Sequence, residues 1–165
     1  MIMNKNIISI ENIIKNLISK EYKLITVESA TCGQLANMIG AFPGVSKFYL
    51  GGLITYSSST KINMLKIKKS RILKFGTISA EIANDMVKNA VKKYNADIGI
   101  SITGNAGPDN IENKPNGLFF VGIYYQGFTQ VHKLNIDQNL SRNEKRNLVS
   151  QIALNLMYKT INNIK

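Results

Sequence analysis

Several residue types are scarce in this chain of 165 residues, and each shortage excludes a class of site. One cysteine, Cys32, excludes an internal disulfide framework and a cysteine-rich zinc site. The single histidine, His132, leaves no material for a histidine-based catalytic triad. No apolar run approaches the roughly 18 residues that a membrane-spanning helix needs, and residues 1–14 lack the apolar stretch of a signal peptide. We therefore expect a cytoplasmic protein with no membrane partner.

Acidic residues and arginines are also scarce. The chain has 21 Lys and Arg against 10 Asp and Glu, which gives a formal net charge of +11. Arg71, Arg142 and Arg146 are the only arginines, and the lysines are scattered apart from a group in residues 66–74. Nucleic-acid binders usually carry more arginine in a clustered stripe. We attribute the charge mainly to biased composition and expect no nucleic-acid partner, while the group at 66–74 leaves a polyanion-binding surface open.

Apolar periodicity predicts the fold class. The apolar content of 44% fits a globular protein, and we treat residues 1–165 as one domain. Helical spacing covers residues 7–18, 31–39, 82–94 and 148–161, with Ser79 and Ser141 as N-caps of the last two. Strand patterns cover residues 23–27, 50–56, 98–103, 118–125 and 129–136, and the last two form a hairpin. Helices and strands alternate in the first part of the chain, and a hairpin follows later. This order predicts a three-layer α/β/α domain with a mixed sheet.

The segment at residues 28–33 is the first candidate for chemistry, because it joins a predicted strand to a predicted helix. Ser29 on such a turn lies at the carboxyl edge of the sheet, where α/β proteins bind ligands. The N-terminus of the next helix offers N–H groups to an anion or an oxyanion. Alternatively, Ser29 or Thr31 only caps the helix. We interpret Cys32 as a packed small residue rather than a nucleophile, because no histidine is near it.

Lys61 is the second candidate, five residues after Tyr56 at the start of a predicted helix. Burial would lower its pKa, and the lysine could then accept a proton from a serine. Since the chain has no usable histidine, a serine and a lysine are the natural nucleophile and base that remain. Tyr56 could orient the lysine or relay a proton. A surface lysine beside a core tyrosine is the alternative.

Two further segments have the composition of ligand-binding sites. Thr103 and Gly104 lie where a strand runs into a glycine-containing loop, and Thr103 can donate a hydrogen bond to a phosphate or carbonyl oxygen. Arg142 and Arg146 are four residues apart at a helix start, on one face, and arginine suits bidentate recognition of phosphate. A simple loop and a solvated helix start are the respective alternatives.

These segments, in this order and spacing, resemble the CinA C-terminal domain family, which includes the stand-alone nicotinamide-nucleotide amidases. The similarity runs from about residue 7 to residue 161, nearly the whole chain. No single piece is specific, but the ordered set is. The matching segments are residues 28–33, 43–46, 51–61, 76–79, 103–108, 114–117 and 141–146.

The resemblance implies hydrolysis of the carboxamide of nicotinamide mononucleotide to nicotinate mononucleotide and ammonia, with no metal or organic cofactor. Ser29 would be the nucleophile, Lys61 its base, and Tyr56 an orienting or proton-relaying neighbour. The resemblance also suggests a homodimer. The residues that would meet the substrate, its phosphate or the oxyanion are Thr103, Gly104, the backbone at Thr31 and Gly33, Arg142 and, as a second candidate for the phosphate, Arg146.

The chain departs from the family pattern at a few positions. Ala30 stands where cysteine is usual, and Cys32 replaces the first glycine of a glycine pair. If the backbone at Cys32 needs a positive φ, its Cβ costs about 1 kcal/mol or more. Ser29, Lys61 and Tyr56 are all present, so we expect activity. A nucleotide-binding accessory or regulatory domain without turnover is the alternative function.

Overall fold

The computed structural model describes residues 8–163. The sheet of this part of the chain has five strands, and the helices lie on both of its faces. The elements are, in order, α1 (Ile10–Lys20), β1 (Leu24–Glu28), α2 (Gln34–Gly40), a short 3-10 helix (Val45–Lys47), β2 (Tyr49–Ile54), α3 (Ser58–Leu65), α4 (Lys69–Phe75), α5 (Ala80–Tyr94), β3 (Ile98–Gly104), β4 (Leu118–Tyr125), β5 (Phe128–Asn135) and α6 (Arg142–Ile161).

The strand order is β2-β1-β3-β4-β5. Strands β2, β1 and β3 run parallel, whereas β4 and β5 are antiparallel additions on the other side of β3. The predicted three-layer α/β/α architecture with a mixed sheet is therefore confirmed. Because parallel strands end at the same edge of a sheet, the residues that follow β1, β2 and β3 come close together there.

Each face of the sheet has its own apolar core. Leu24 and Ile25 are adjacent in β1 and point to opposite faces, as the two-residue period of a strand requires. The core around Leu24 contains buried residues of α1, α2 and α6, and the core around Ile25 contains residues of α3, α4 and α5. Strand β3 is buried along nearly its whole length, because helices cover it on both sides.

Several boundaries differ from the prediction. Helix α2 begins at Gln34 rather than residue 31, since Cys32 and Gly33 adopt positive φ values of 49° and 92° and so cannot continue a helix backwards. Helix α4, with only seven residues, was not predicted. Serine caps precede α5 and α6 as predicted, and the cap of α6 is a full capping box. Ile7, included in the pattern of the first helix, lies outside the described residues.

No helix within residues 8–163 is long and apolar enough to cross a membrane.

Candidate active site

Ser29 and Lys61 meet at the carboxyl edge of the sheet. Ser29 directly follows β1, and its N–H donates to the carbonyl of Ile102 in β3 at 2.9 Å, which holds the turn against the sheet. Lys61, in the first turns of α3, points inward and is fully buried. Its Nζ lies 3.0 Å from Ser29 Oγ. The two residues that the sequence predicted as nucleophile and base are therefore within hydrogen-bond distance.

Burial sets the charge state of Lys61. Loss of hydration lowers the pKa of its ammonium group from 10.5 to about 8, and the charge of Glu112 opposes this shift. The Nζ atom also donates to the carbonyl oxygens of Thr55 at 2.7 Å and Tyr56 at 3.3 Å. Both carbonyls lie in the connection between β2 and α3, so this connection aims the lysine at Ser29. A substantial neutral fraction near pH 8 is what a general base requires.

The N-terminus of α2 is not open to an anion, contrary to the prediction. The buried carboxylate of Glu28 accepts hydrogen bonds from the N–H groups of Gly33 at 3.0 Å, Leu35 at 3.1 Å and Ala36 at 2.9 Å. The resemblance placed the backbone of Gly33 among the substrate contacts, but the N–H of Gly33 is occupied by the Glu28 side chain. Glu28 thus caps the helix from the end of β1.

Two N–H groups on the turn after β1 have no partner in the part of the chain that the structure describes. Within the described residues, the N–H groups of Ala30 and Thr31 have no hydrogen-bond partner. Ala30 also lines the cavity beside Ser29. An unpaired N–H group beside a nucleophile is the kind of donor that forms an oxyanion hole.

Tyr56 contacts the lysine through its backbone rather than through its phenol. The side chain is 54% exposed, and its hydroxyl accepts a hydrogen bond at 3.1 Å from Nη2 of Arg142. The other terminal nitrogen of Arg142 donates to the carbonyl of Gly107. The phenol therefore lies at the rim of the site, and the predicted proton relay through it has no hydrogen-bonded path to Ser29 among the described residues.

The two predicted phosphate ligands have different surroundings. Arg142 stands at the rim of the cavity. Arg146 points elsewhere, because its Nε and Nη2 both donate to the carbonyl of Thr31, at 3.0 and 2.7 Å. Arg146 therefore braces the Ser29 turn from α6, and its guanidinium is already engaged. Thr31 is fully buried, and its hydroxyl has no partner among the described residues.

Thr103 and Gly104 form part of the wall of a cavity that opens beside Ser29. The cavity has a volume of about 110 Å³, and its apolar lining includes Ile78 and Ala106. The Thr103 hydroxyl donates to the carbonyl of Thr77 at 2.7 Å, so its one proton is already engaged, contrary to the predicted donor role.

Sequence reasoning missed Glu112, which lies in the loop between β3 and β4. Its carboxylate accepts hydrogen bonds from the N–H and the hydroxyl of Thr77, at 2.8 and 2.6 Å. The one signal in the sequence was an acidic residue in a loop of a chain that has few acidic residues. Nothing in the sequence identified Thr77 as the partner of Glu112.

Cys32 is also placed differently from the prediction. It is exposed rather than packed, and its positive φ of 49° brings the expected strain. Within residues 8–163, no three His, Cys, Asp or Glu side chains come together in a group that could hold a metal ion.

Comparison with known proteins identifies the family to which the sequence is similar. The family model of the CinA C-terminal domain matches residues 8–161. A CinA-like protein of Kosmotoga olearia is 39% identical over 155 residues, which cover 93% of this chain and 37% of that protein. The chain spans little more than a third of the length of the curated relatives that it matches.

Solved structures share the fold. A competence damage-inducible protein from Klebsiella pneumoniae superposes with a TM-score of 0.89 at 23% identity, covering 94% of this chain and 96% of that one. A CinA superfamily protein from Escherichia coli gives a TM-score of 0.87 at 25% identity, covering 95% of this chain and 94% of that one.

Proposed function

The chain belongs to the CinA C-terminal domain family, and we propose that it is an amidase that converts nicotinamide mononucleotide to nicotinate mononucleotide and ammonia. The observation that carries this proposal is the buried Lys61 Nζ, 3.0 Å from Ser29 Oγ at the edge of the cavity. An amide resists direct attack by water at neutral pH, so a nucleophile activated by a buried base is the chemistry that this substrate requires.

The proposed reaction proceeds in two acyl-transfer steps. Neutral Lys61 accepts the proton of Ser29 Oγ as that oxygen attacks the carboxamide carbon. The tetrahedral intermediate collapses, the C–N bond breaks, and the lysine returns its proton to the departing ammonia. A water molecule then attacks the acyl-serine ester, losing its proton to Lys61. The ester bond to Ser29 breaks, and Lys61 returns this proton to the serine oxygen, which restores the hydroxyl. The released carboxylic acid loses its own proton to water and leaves as the carboxylate.

The surroundings of Ser29 suit the charges that this reaction develops. The unpaired N–H group of Ala30, which lines the cavity beside Ser29, is the donor available to the oxyanion of the tetrahedral intermediate. Arg142 at the rim is the cation available to the 5′-phosphate, and it would exchange its neutral acceptors on Tyr56 and Gly107 for that dianion. The cavity is smaller than the roughly 300–1,000 Å³ of typical small-molecule pockets. It would therefore take the carboxamide end and leave the phosphate at the rim.

The decisive experiment is ammonia release from nicotinamide mononucleotide by the purified protein. Ser29→Ala and Lys61→Met should abolish it, whereas Ser70→Ala and Lys68→Met, which alter exposed residues of the same types, should not. If ammonia release persists in Ser29→Ala, Ser29 is not the nucleophile. Binding of the nucleotide without any release would instead identify an accessory or regulatory nucleotide-binding domain.

We further propose that the protein is a cytoplasmic homodimer that needs no cofactor and binds no nucleic acid. Strand β2 lies at the edge of the sheet that the described residues form, and it exposes Leu50 and Ile54, which are apolar and suited to a protein contact. Light scattering should therefore give a mass twice the 18.4 kDa of the chain.

The exclusion of nucleic acid concerns the basic group at residues 66–74. Arg71, the one arginine of this group, is paired with Asp85. Binding to DNA or RNA that falls steeply with salt would contradict the exclusion of nucleic acid.

A further inference from the structure

Glu112 occupies a tight turn at the edge of the cavity. Ile111 and Lys114 form an isolated antiparallel bridge, and the two residues between them, Glu112 and Asn113, have positive φ values of 53° and 55°. Turns with two positive φ values favour glycine, asparagine and aspartate. A glutamate there adopts a backbone conformation that its Cβ disfavours, which calls for a compensating interaction.

The side chain of Glu112 supplies that interaction. One carboxylate oxygen accepts the N–H of Thr77 at 2.8 Å and lies 3.4 Å from the nitrogen of Ile78, and the other accepts the Thr77 hydroxyl at 2.6 Å. Gly76 leaves the space that this approach needs, since a Cβ there would lie 2.5 Å from a Glu112 oxygen. Glu112 therefore clips the β3–β4 loop to the segment that precedes α5.

The clip connects directly to the wall of the cavity. Ile111, Thr77, Ile78 and Thr103 all line it. The carbonyl of Thr77 accepts the hydroxyl proton of Thr103 at 2.7 Å. A threonine hydroxyl has a single proton, so Thr103 can offer only its lone pairs to a ligand while this bond lasts.

We propose that Glu112 is a positioning residue which, through Thr77, holds the Thr103 hydroxyl as a hydrogen-bond acceptor toward the substrate and so selects a carboxamide over a carboxylate. The proposal rests on the proposed amidase function. A carboxamide NH₂ donates to such an acceptor, whereas the carboxylate product has no proton to donate and is repelled by its lone pairs. The same contact thus favours binding of the substrate and departure of the product.

The charge of Glu112 is a second contribution to the site, since it opposes the lowering of the Lys61 pKa. The neutral variant Glu112→Gln should therefore move the acidic limb of the rate profile to lower pH. A purely structural role would leave that limb where it is.

The test combines hydrogen exchange with ligand binding. Exchange of the Thr77 amide is followed in the unliganded protein, and affinities for nicotinamide mononucleotide and nicotinate mononucleotide are measured by calorimetry in a Ser29→Ala background, without turnover. Glu112→Ala should accelerate Thr77 exchange about tenfold or more and lower the preference for the amide about fivefold. Thr103→Val should lower the preference about tenfold. Glu81→Ala, which removes an exposed carboxylate from the start of α5, should change neither.

Each other outcome overturns a defined part of the proposal. Unchanged Thr77 exchange in Glu112→Ala would show that no clip exists. Faster exchange with an unchanged amide preference would reduce Glu112 to a loop contact with no part in recognition. If neither nucleotide binds while Thr77 exchange accelerates, the proposed amidase function and the carboxamide selection both fail, and the clip alone is supported.

Discussion

Replacing Lys61 by methionine removes a cation that the fold holds in a fully buried position. The pKa of this lysine falls from 10.5 to about 8 on burial. Between these two values the unfolded chain binds a proton that the folded chain does not, so the lysine makes folding stability rise with pH over that interval. Methionine has a similar length and no titrating group. The variant therefore lacks this contribution to the pH dependence.

The magnitude follows from the shift in pKa. Each pKa unit corresponds to about 1.4 kcal/mol. Burial of Lys61 therefore lowers the free energy of unfolding by about 3 kcal/mol at pH 7. At pH 9.5 the folded lysine is already neutral, and the cost falls to about 1.4 kcal/mol. The wild type should gain about 2 kcal/mol from this residue between the two pH values. The hydrogen bonds that Lys61→Met loses add a cost that is the same at both.

The assay is equilibrium unfolding in urea at pH 7 and pH 9.5 for the wild type, Lys61→Met and the exposed-lysine control Lys68→Met. The difference in unfolding free energy between the wild type and Lys61→Met should move by about 2 kcal/mol in favour of the wild type as the pH rises. Lys68→Met should show no such movement. A wild-type to Lys61→Met difference that is constant within about 0.5 kcal/mol would refute a lowered pKa and remove the basis for Lys61 as a base.

Three further predictions concern the same edge of the sheet. The kcat/KM for nicotinamide mononucleotide should rise about tenfold per pH unit below pH 8 and level off above it, because the base must be neutral; initial rates between pH 6 and 9.5 that stay flat would contradict this. Cys32→Gly should raise the unfolding free energy by about 0.5–1 kcal/mol, as relief of the positive φ outweighs the entropy of glycine, and a lower urea midpoint would count against it. Glu28→Gln should lower stability by about 2 kcal/mol, since three N–H groups of α2 lose a charged acceptor; an unchanged midpoint would show that the cap contributes nothing.

Sequence patterns over a few residues predicted those structural features that depend on residues close together in the chain. Ser79 and Ser141 were identified as caps because a capping side chain and the N–H group that it accepts are only three residues apart in sequence. The β4–β5 hairpin was identified from a turn expected at residues 126–128, and in the structure the turn is Gln126 and Gly127, with Phe128 already in β5. Helix α4 was missed because seven residues give too few turns for a clear apolar period.

The partners of the polar side chains at the site were predicted less well. Arg142 and Arg146 share a helix start, yet one reaches Tyr56 and Gly107 and the other reaches Thr31. Sequence spacing made both of them candidates for a phosphate, and the resemblance favoured Arg142. Which acceptor a long side chain meets depends on the loops that pack beside the helix, and those loops come from distant parts of the chain.

The sequence by itself determined the fold class and which residues carry reactive groups, because apolar periodicity and the order of the motifs are properties of the chain. It also reduced the choice of base to lysine, since only one histidine is present. Only the tertiary structure decided that Lys61 is buried against Ser29, that Glu28 closes the N-terminus of α2, and that Glu112 braces the cavity through Thr77. Burial and hydrogen-bond partners at this edge are set by strands that are adjacent in the sheet but far apart in sequence.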